Sequence, residues 1–210
     1  MSETLELLDW KRRVFALYAE VRGTQDPEQA WNHWRETRAS LLRDHPQSPR
    51  PGFDAPMYFA YDPSWRFLAE LEPAEPETRR IGSSGEEPVT FTRFAIARFG
   101  GHELELFWLD AYGGGLFLPF RDATAGRETY GAGRYMLDTV KGADLGTVDG
   151  RVVLDFNFAY NPSCAYDPKW ACPLAPPANR LTVPIRAGEK KPEVGLEPTT
   201  SALQELRSAN

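Results

Sequence analysis

The sequence predicts a mainly β protein of the α+β class, an antiparallel barrel-like or curled sheet carrying an N-terminal helical hairpin. Three observations carry that prediction. Two helix-period amphipathic segments lie before residue 45. From residue 65 the chain turns to short runs rich in Thr, Phe, Ile and Val, and glycine-bearing turns separate those runs. The boundaries that follow are a helical pair over 1–45, an antiparallel β domain over 46–191 and a disordered tail over 192–210.

In the first helix Leu7, Trp10, Val14, Leu17 and Val21 recur at alternating steps of three and four, which lines them along one stripe for docking. Gly23 stops it. Asp26 is a good N-cap for a second helix, with Pro27 at the first helical position and Gln29 able to reach back. That helix runs to about Arg43, offers Ala30, Trp31, Trp34, Leu41 and Leu42 for burial, and ends before Pro46. His33 and His45 read as a surface histidine and a helix-end histidine, because no metal-ligand spacing surrounds them.

Residues 46–63 are proline-rich and irregular, and Phe53, Met57, Tyr58 and Phe59 give this stretch the means to wrap onto the domain. The hexapeptide AYDPSW at 60–65 returns as AYDPKW at 165–170. Six residues do not make a duplicated domain, and the pattern is that of a shared turn: Asp bonds the backbone two residues on and Pro fixes the next φ. A first strand is expected over Trp65–Leu71 and a polar loop over Glu72–Glu87.

The β signal then becomes regular. Val89–Phe99 and His102–Asp110 flank Gly100 and Gly101, a two-residue turn suited to positive φ, and Leu104, Leu106 and Trp108 share one face of the second strand. Gly113–Gly115 forms a further turn, and with no helix start and no Lys after it this triplet is not a phosphate cradle. Strands follow over Leu116–Phe120, Gly133–Thr139 and Arg151–Ala159.

Polar groups concentrate between Glu128 and Leu181. Strand alternation places Asp155 and Asn157 on the face opposite Val152, Leu154, Phe156 and Phe158, and a hairpin between the last two strands would set Arg134 across from Asp155 or Asn157. One reading is structural: an ion pair ties loops to the sheet, while Asn157 and Asn161 satisfy backbone groups in a turn. The other is a pocket in a barrel mouth, with Arg134 presenting its forked donor to an anionic group and Tyr160, Asn161 and Cys164 nearby. Cys164 has no evident base beside it and reads as a small buried hydrophobe. Metal ligation is not expected of two cysteines and scattered histidines.

The run ETYGAGRYM, followed by LDFNFAYNPSCAY, CPLAPPANRL and IRAGEK, resembles the bacterial and archaeal family named domain of unknown function 1684 (DUF1684), over roughly Trp31 to Lys190. The family carries no assigned activity, substrate or cofactor, so the resemblance transfers no catalytic residue.

Composition narrows the classes further. A chain of 210 residues, 41% hydrophobic and 12% aromatic, suffices for one domain with a real core. A net charge of −6 without a basic stripe argues against nucleic acid. The acidic, weakly apolar N-terminus is not a signal peptide, and no window approaches a membrane span, so a soluble cytoplasmic protein is expected. Both cysteines are then thiols. Beyond Lys191 the aromatics and the alternation vanish; the stretch VGLEPTT resembles a readthrough product of a transfer RNA gene's antisense strand, and disorder is expected.

The leading functional expectation is binding of a small polar or anionic molecule, with no cofactor, in a cavity lined by Arg134, Asp155, Asn157 and Tyr160. An enzyme of hydrolase or isomerase type using that cavity is one alternative. A structural or interaction module is the other.

Overall fold

The computed structural model describes residues 2–81, 83, 89–110 and 112–192, so the tail expected to be disordered lies outside the described residues apart from Pro192. Two helices, α1 (Glu3–Gly23) and α2 (Pro27–Asp44), precede seven strands: β1 (Arg66–Ile81), β2 (Val89–Phe99), β3 (His102–Leu109), β4 (Leu116–Phe120), β5 (Arg134–Asp138), β6 (Thr147–Val148) and β7 (Arg151–Asp155). All pair antiparallel in one curled sheet of order β5-β4-β3-β2-β1-β7-β6. This is the expected class, a curled half-barrel behind a helical hairpin.

Local chemistry explains many element ends. Asp26 Oδ1 accepts from the backbone N–H of Glu28 at 2.9 Å and Gln29 at 3.0 Å, which with Pro27 starts α2. Gly100 and Gly101 take φ of 50° and 79° in the β2–β3 hairpin, where a side chain would be strained. The repeated hexapeptides are indeed one kind of turn. Asp62 Oδ1 accepts from Ser64 N at 2.9 Å, and Asp167 Oδ1 accepts from Lys169 N at 3.0 Å.

Three features differ from the expected pattern, each for a tertiary reason. The expected loop after Leu71 is strand as far as Ile81. Its polar side chains are held by cross-strand ion pairs instead of apolar burial: Arg79 and Arg93 both reach Glu105, and Arg98 reaches Glu72. The prolines sit where the β1–β2 register shifts, between Pro73 and Glu77, so their missing N–H groups cost the ladder little.

The second departure is in α1, where Leu17, Tyr18 and Val21 are buried but Leu7 is 49% exposed. Only the C-terminal half of the stripe meets the sheet, packing with Trp31, Trp34, Leu145, Val153 and Phe158. The third is β7, which ends at Asp155 and passes into a 3-10 turn over Phe156–Phe158. It is also buried on both faces. Val152 and Leu154 enter the half-barrel core with Phe99, Leu106, Phe120 and Ile185, while Val153 faces the helices.

The curl brings the ends of the sheet together. Just past the 3-10 turn, Tyr160 exchanges both backbone hydrogen bonds with Tyr135 of β5, at 2.9 and 3.1 Å. Both tyrosines line a cavity beneath the helical hairpin.

Candidate functional site

A cavity of about 90 Å³ lies where the hairpin crosses β5 and the segment following Tyr160. Apolar groups of α1 and α2, among them Val14, Leu17, Trp34 and Leu41, form its roof. Arg38 of α2, Asp138 and Lys141 at the end of β5, and Tyr160, Asn161 and Tyr166 supply its polar wall.

The wall is organised by a buried carboxylate. Glu189, fully buried, accepts from the Asn161 backbone N–H at 3.1 Å and from Asn161 Nδ2 at 3.0 Å, and it receives Arg38 Nη2 at 3.1 Å. Burial raises its pKa, and the Arg38 guanidinium opposes that rise. Arg38 also lies over the Tyr160 ring, 4.9 Å from its centroid. A guanidinium carries five N–H donors, so this ion pair does not exhaust Arg38. Lys141 Nζ stands 3.3 Å from Asp138 Oδ2 on the far side.

Burial lifts the Tyr160 phenol well above its ordinary range, so at neutral pH it is an uncharged hydroxyl. Two wall residues hold buried oxygens that no described residue hydrogen-bonds: Asn161 Oδ1 and Tyr166 Oη. Buried polar atoms are almost always satisfied, so two such oxygens on residues lining one cavity need a partner.

The six residues singled out from the sequence do not form one cluster. Tyr160 and Asn161 line this cavity. Arg134 does not face Asp155 or Asn157; β5 and β7 are separated by four strands in the sheet order, and β7 makes its hairpin with β6. The structure pairs Arg134 Nη2 with Asp122 Oδ2 at 2.9 Å, with both side chains 1% exposed. Its guanidinium also donates to the carbonyls of Ile185 at 3.0 Å, Ala187, and Glu189 at 3.3 Å. Arg134 is thus a clamp holding the chain at 185–189 inside the half-barrel. Desolvation lowers its pKa, with Asp122 countering.

Asn157 fixes the first hexapeptide turn, accepting from Asp62 N at 3.0 Å and donating to Asp62 O at 2.9 Å and to Asp155 Oδ1 at 2.8 Å. Asp155 opens toward a different cleft, beside Arg66. Cys164 is a buried thiol in an apolar cluster with Leu42, Tyr166 and Leu174; its N–H donates to Cys172 Sγ at 3.3 Å and Tyr130 Oη lies 3.7 Å from its sulfur. The contact with Cys164, with burial, pushes the Cys172 thiol far above its ordinary range, the reverse of what a nucleophile needs.

Sequence reasoning missed Arg38, Asp122, Lys141 and Glu189. Glu189 had a signal, since it falls in the IRAGEK run of the family resemblance. Arg38 had only its place four residues after Trp34, over whose ring its guanidinium sits at 5.9 Å. Among the described residues no group of three or more His, Cys, Asp or Glu is arranged to hold a metal ion, and no helix is long and apolar enough to cross a membrane.

The model of the family described as "Protein of unknown function (DUF1684)" matches residues 51–190. Among solved structures, the solution NMR structure of the uncharacterised protein from gene locus rrnAC0354 of Haloarcula marismortui is 34% identical. Its TM-score is 0.54, over 78% of this chain and 93% of that one. No curated protein matches. With the family match spanning most of the half-barrel, including the chain that Arg134 clamps, the protein belongs to the DUF1684 family.

Proposed function

We propose that the protein binds a small polar or anionic molecule in the cavity under the helical hairpin. The observation that carries this reading is the pair of unbonded buried oxygens, Asn161 Oδ1 and Tyr166 Oη, on a wall that also presents Arg38 and Lys141. An isolated buried oxygen costs about 1 to 3 kcal/mol, a penalty that a bound hydrogen-bonding molecule removes. Asn161 Oδ1 asks for a donor; Tyr166, Arg38 and Lys141 offer donors to an acceptor or an anion.

Size constrains the occupant. A cavity of about 150 Å³ takes benzene, so about 90 Å³ suits a smaller body or one polar end of a longer molecule whose remainder leaves through the mouth. Aromatic walls with a few placed polar groups are the usual make-up of small-molecule sites.

The test uses Tyr166→Phe, which deletes a hydroxyl with no described partner. Full-length protein is incubated with a metabolite mixture, washed, and its retained compounds are read by mass spectrometry. Wild type is expected to retain a compound that Tyr166→Phe retains at least about tenfold less, while the variant melts no lower than wild type. Equal retention by both proteins, or none by either, refutes the reading.

A further inference from the structure

A second cleft, of about 270 Å³, lies at the other end of the hairpin, between the α1–α2 turn and the β6–β7 hairpin. Asp155 stands in its wall, following Val153 toward the helices, and is 1% exposed. Its Oδ1 is occupied by the backbone N–H and Nδ2 of Asn157, at 3.0 and 2.8 Å. Its Oδ2 has no hydrogen-bond partner; Arg66 Nε comes only to 3.8 Å. Arg22 of α1 and Arg66 of β1 bring cationic groups to the same cleft, which Thr24 and Thr147 also line; Arg22 Nη1 donates to the Asp144 carbonyl at 2.7 Å and lies 3.7 Å from Asp144 Oδ2.

A carboxylate oxygen left without a hydrogen bond calls for a donor, while two guanidinium groups at one opening, each beside a carboxylate yet with N–H donors to spare, can receive an anion. We propose that this cleft is a separate binding site for a small 2-hydroxy or 2-amino carboxylate, its hydroxyl or ammonium group donating to Asp155 Oδ2 and its carboxylate meeting Arg66 and Arg22. Such a molecule satisfies both demands at once, since its donor and its anion sit on adjacent carbons. Burial lifts the Asp155 pKa to about 6, and Asn157 and Arg66 oppose the rise. Tyr61, whose pKa is raised by burial and then by the Asp155 charge, is a further titratable neighbour. With Oδ1 taken and Oδ2 without a hydrogen bond, the carboxylate favours an ammonium or hydroxyl donor over a second acceptor.

The experiment titrates isotope-labelled full-length protein with L-lactate, L-serine, acetate and ethylene glycol, following backbone amide shifts. Lactate or serine is expected to move Gly146, Thr147 and Val153 saturably. Acetate, which lacks the donor, and ethylene glycol, which lacks the anion, should bind at least about tenfold more weakly. Arg22→Gln, on the exposed rim, should weaken lactate or serine by a similar factor, as should Asp155→Asn. Equal affinity for acetate and lactate overturns the proposal. So does an absence of saturable shifts in the cleft up to about 50 mM of either acid, and so does binding unaltered in Arg22→Gln. Shifts confined to Tyr160, Asn161 and Tyr166 would overturn it while supporting the hairpin cavity, so the two sites fail separately.

Discussion

Arg134→Met removes the guanidinium and keeps the stem. In the structure the lost group bonds Asp122 and three carbonyls of residues 185–189, all inside the half-barrel. The Asp122 carboxylate is left without its counter-charge at 1% exposure. It keeps Thr124 N at 2.8 Å and Ile185 N at 3.2 Å, which soften the penalty. Breaking a buried pair by removing one partner costs about 3 to 5 kcal/mol. For a protein of this size that lowers the melting temperature by roughly 6 to 20 °C. Urea denaturation of wild type, Arg134→Met, Asp122→Asn and the double variant measures the cost and the coupling. Asp122→Asn should restore part of the loss because it removes the stranded charge. A loss under about 1 kcal/mol, or single losses that simply add, would refute the clamp.

Two further predictions rest on single positions. Asp155 rises from an ordinary 3.8 to about 6 in the folded protein. The folded state thus holds a proton that the unfolded chain releases between about pH 4 and 6, and this contribution to stability falls as pH rises through that window, by at most about 3 kcal/mol. Asp155→Asn cannot ionise, so its stability relative to wild type should climb from pH 4 to 7; parallel urea-midpoint profiles for the two proteins would contradict this. Gly188 has φ of 77°, and a Cβ there would come within 2.6 Å of the carbonyl oxygens of Phe156 and Ala159. Gly188→Ala should cost at least about 2 kcal/mol in the same denaturation, whereas Gly52→Ala, also at positive φ but in open space, should cost less.

Features under short-range chemical control could be read from the residues alone. The Asp26–Pro27 start of α2, the Gly100–Gly101 hairpin and both Asp-Pro turns depend on atoms a few residues apart, and so do the strands β2 to β4, whose hairpins join neighbours in the chain. Tyr160 and Asn161 stood out in the sequence because they follow a strand in a polar, proline-stiffened stretch, and both line the hairpin cavity. Which distant groups meet depends on how the whole chain folds. Alternation placed Asn157 on a strand face, yet the chain turns at Phe156 and spends that side chain on Asp62, 95 residues away. Arg134 finds Asp122 and residues 185–189 because the curl of the sheet carries β5 against the chain's last described segment. Arg38 reaches Glu189 across 151 residues. Side-chain period is a property of one strand, whereas the partner of a buried charge is set by how the whole sheet bends, and no local spacing in the sequence encodes that.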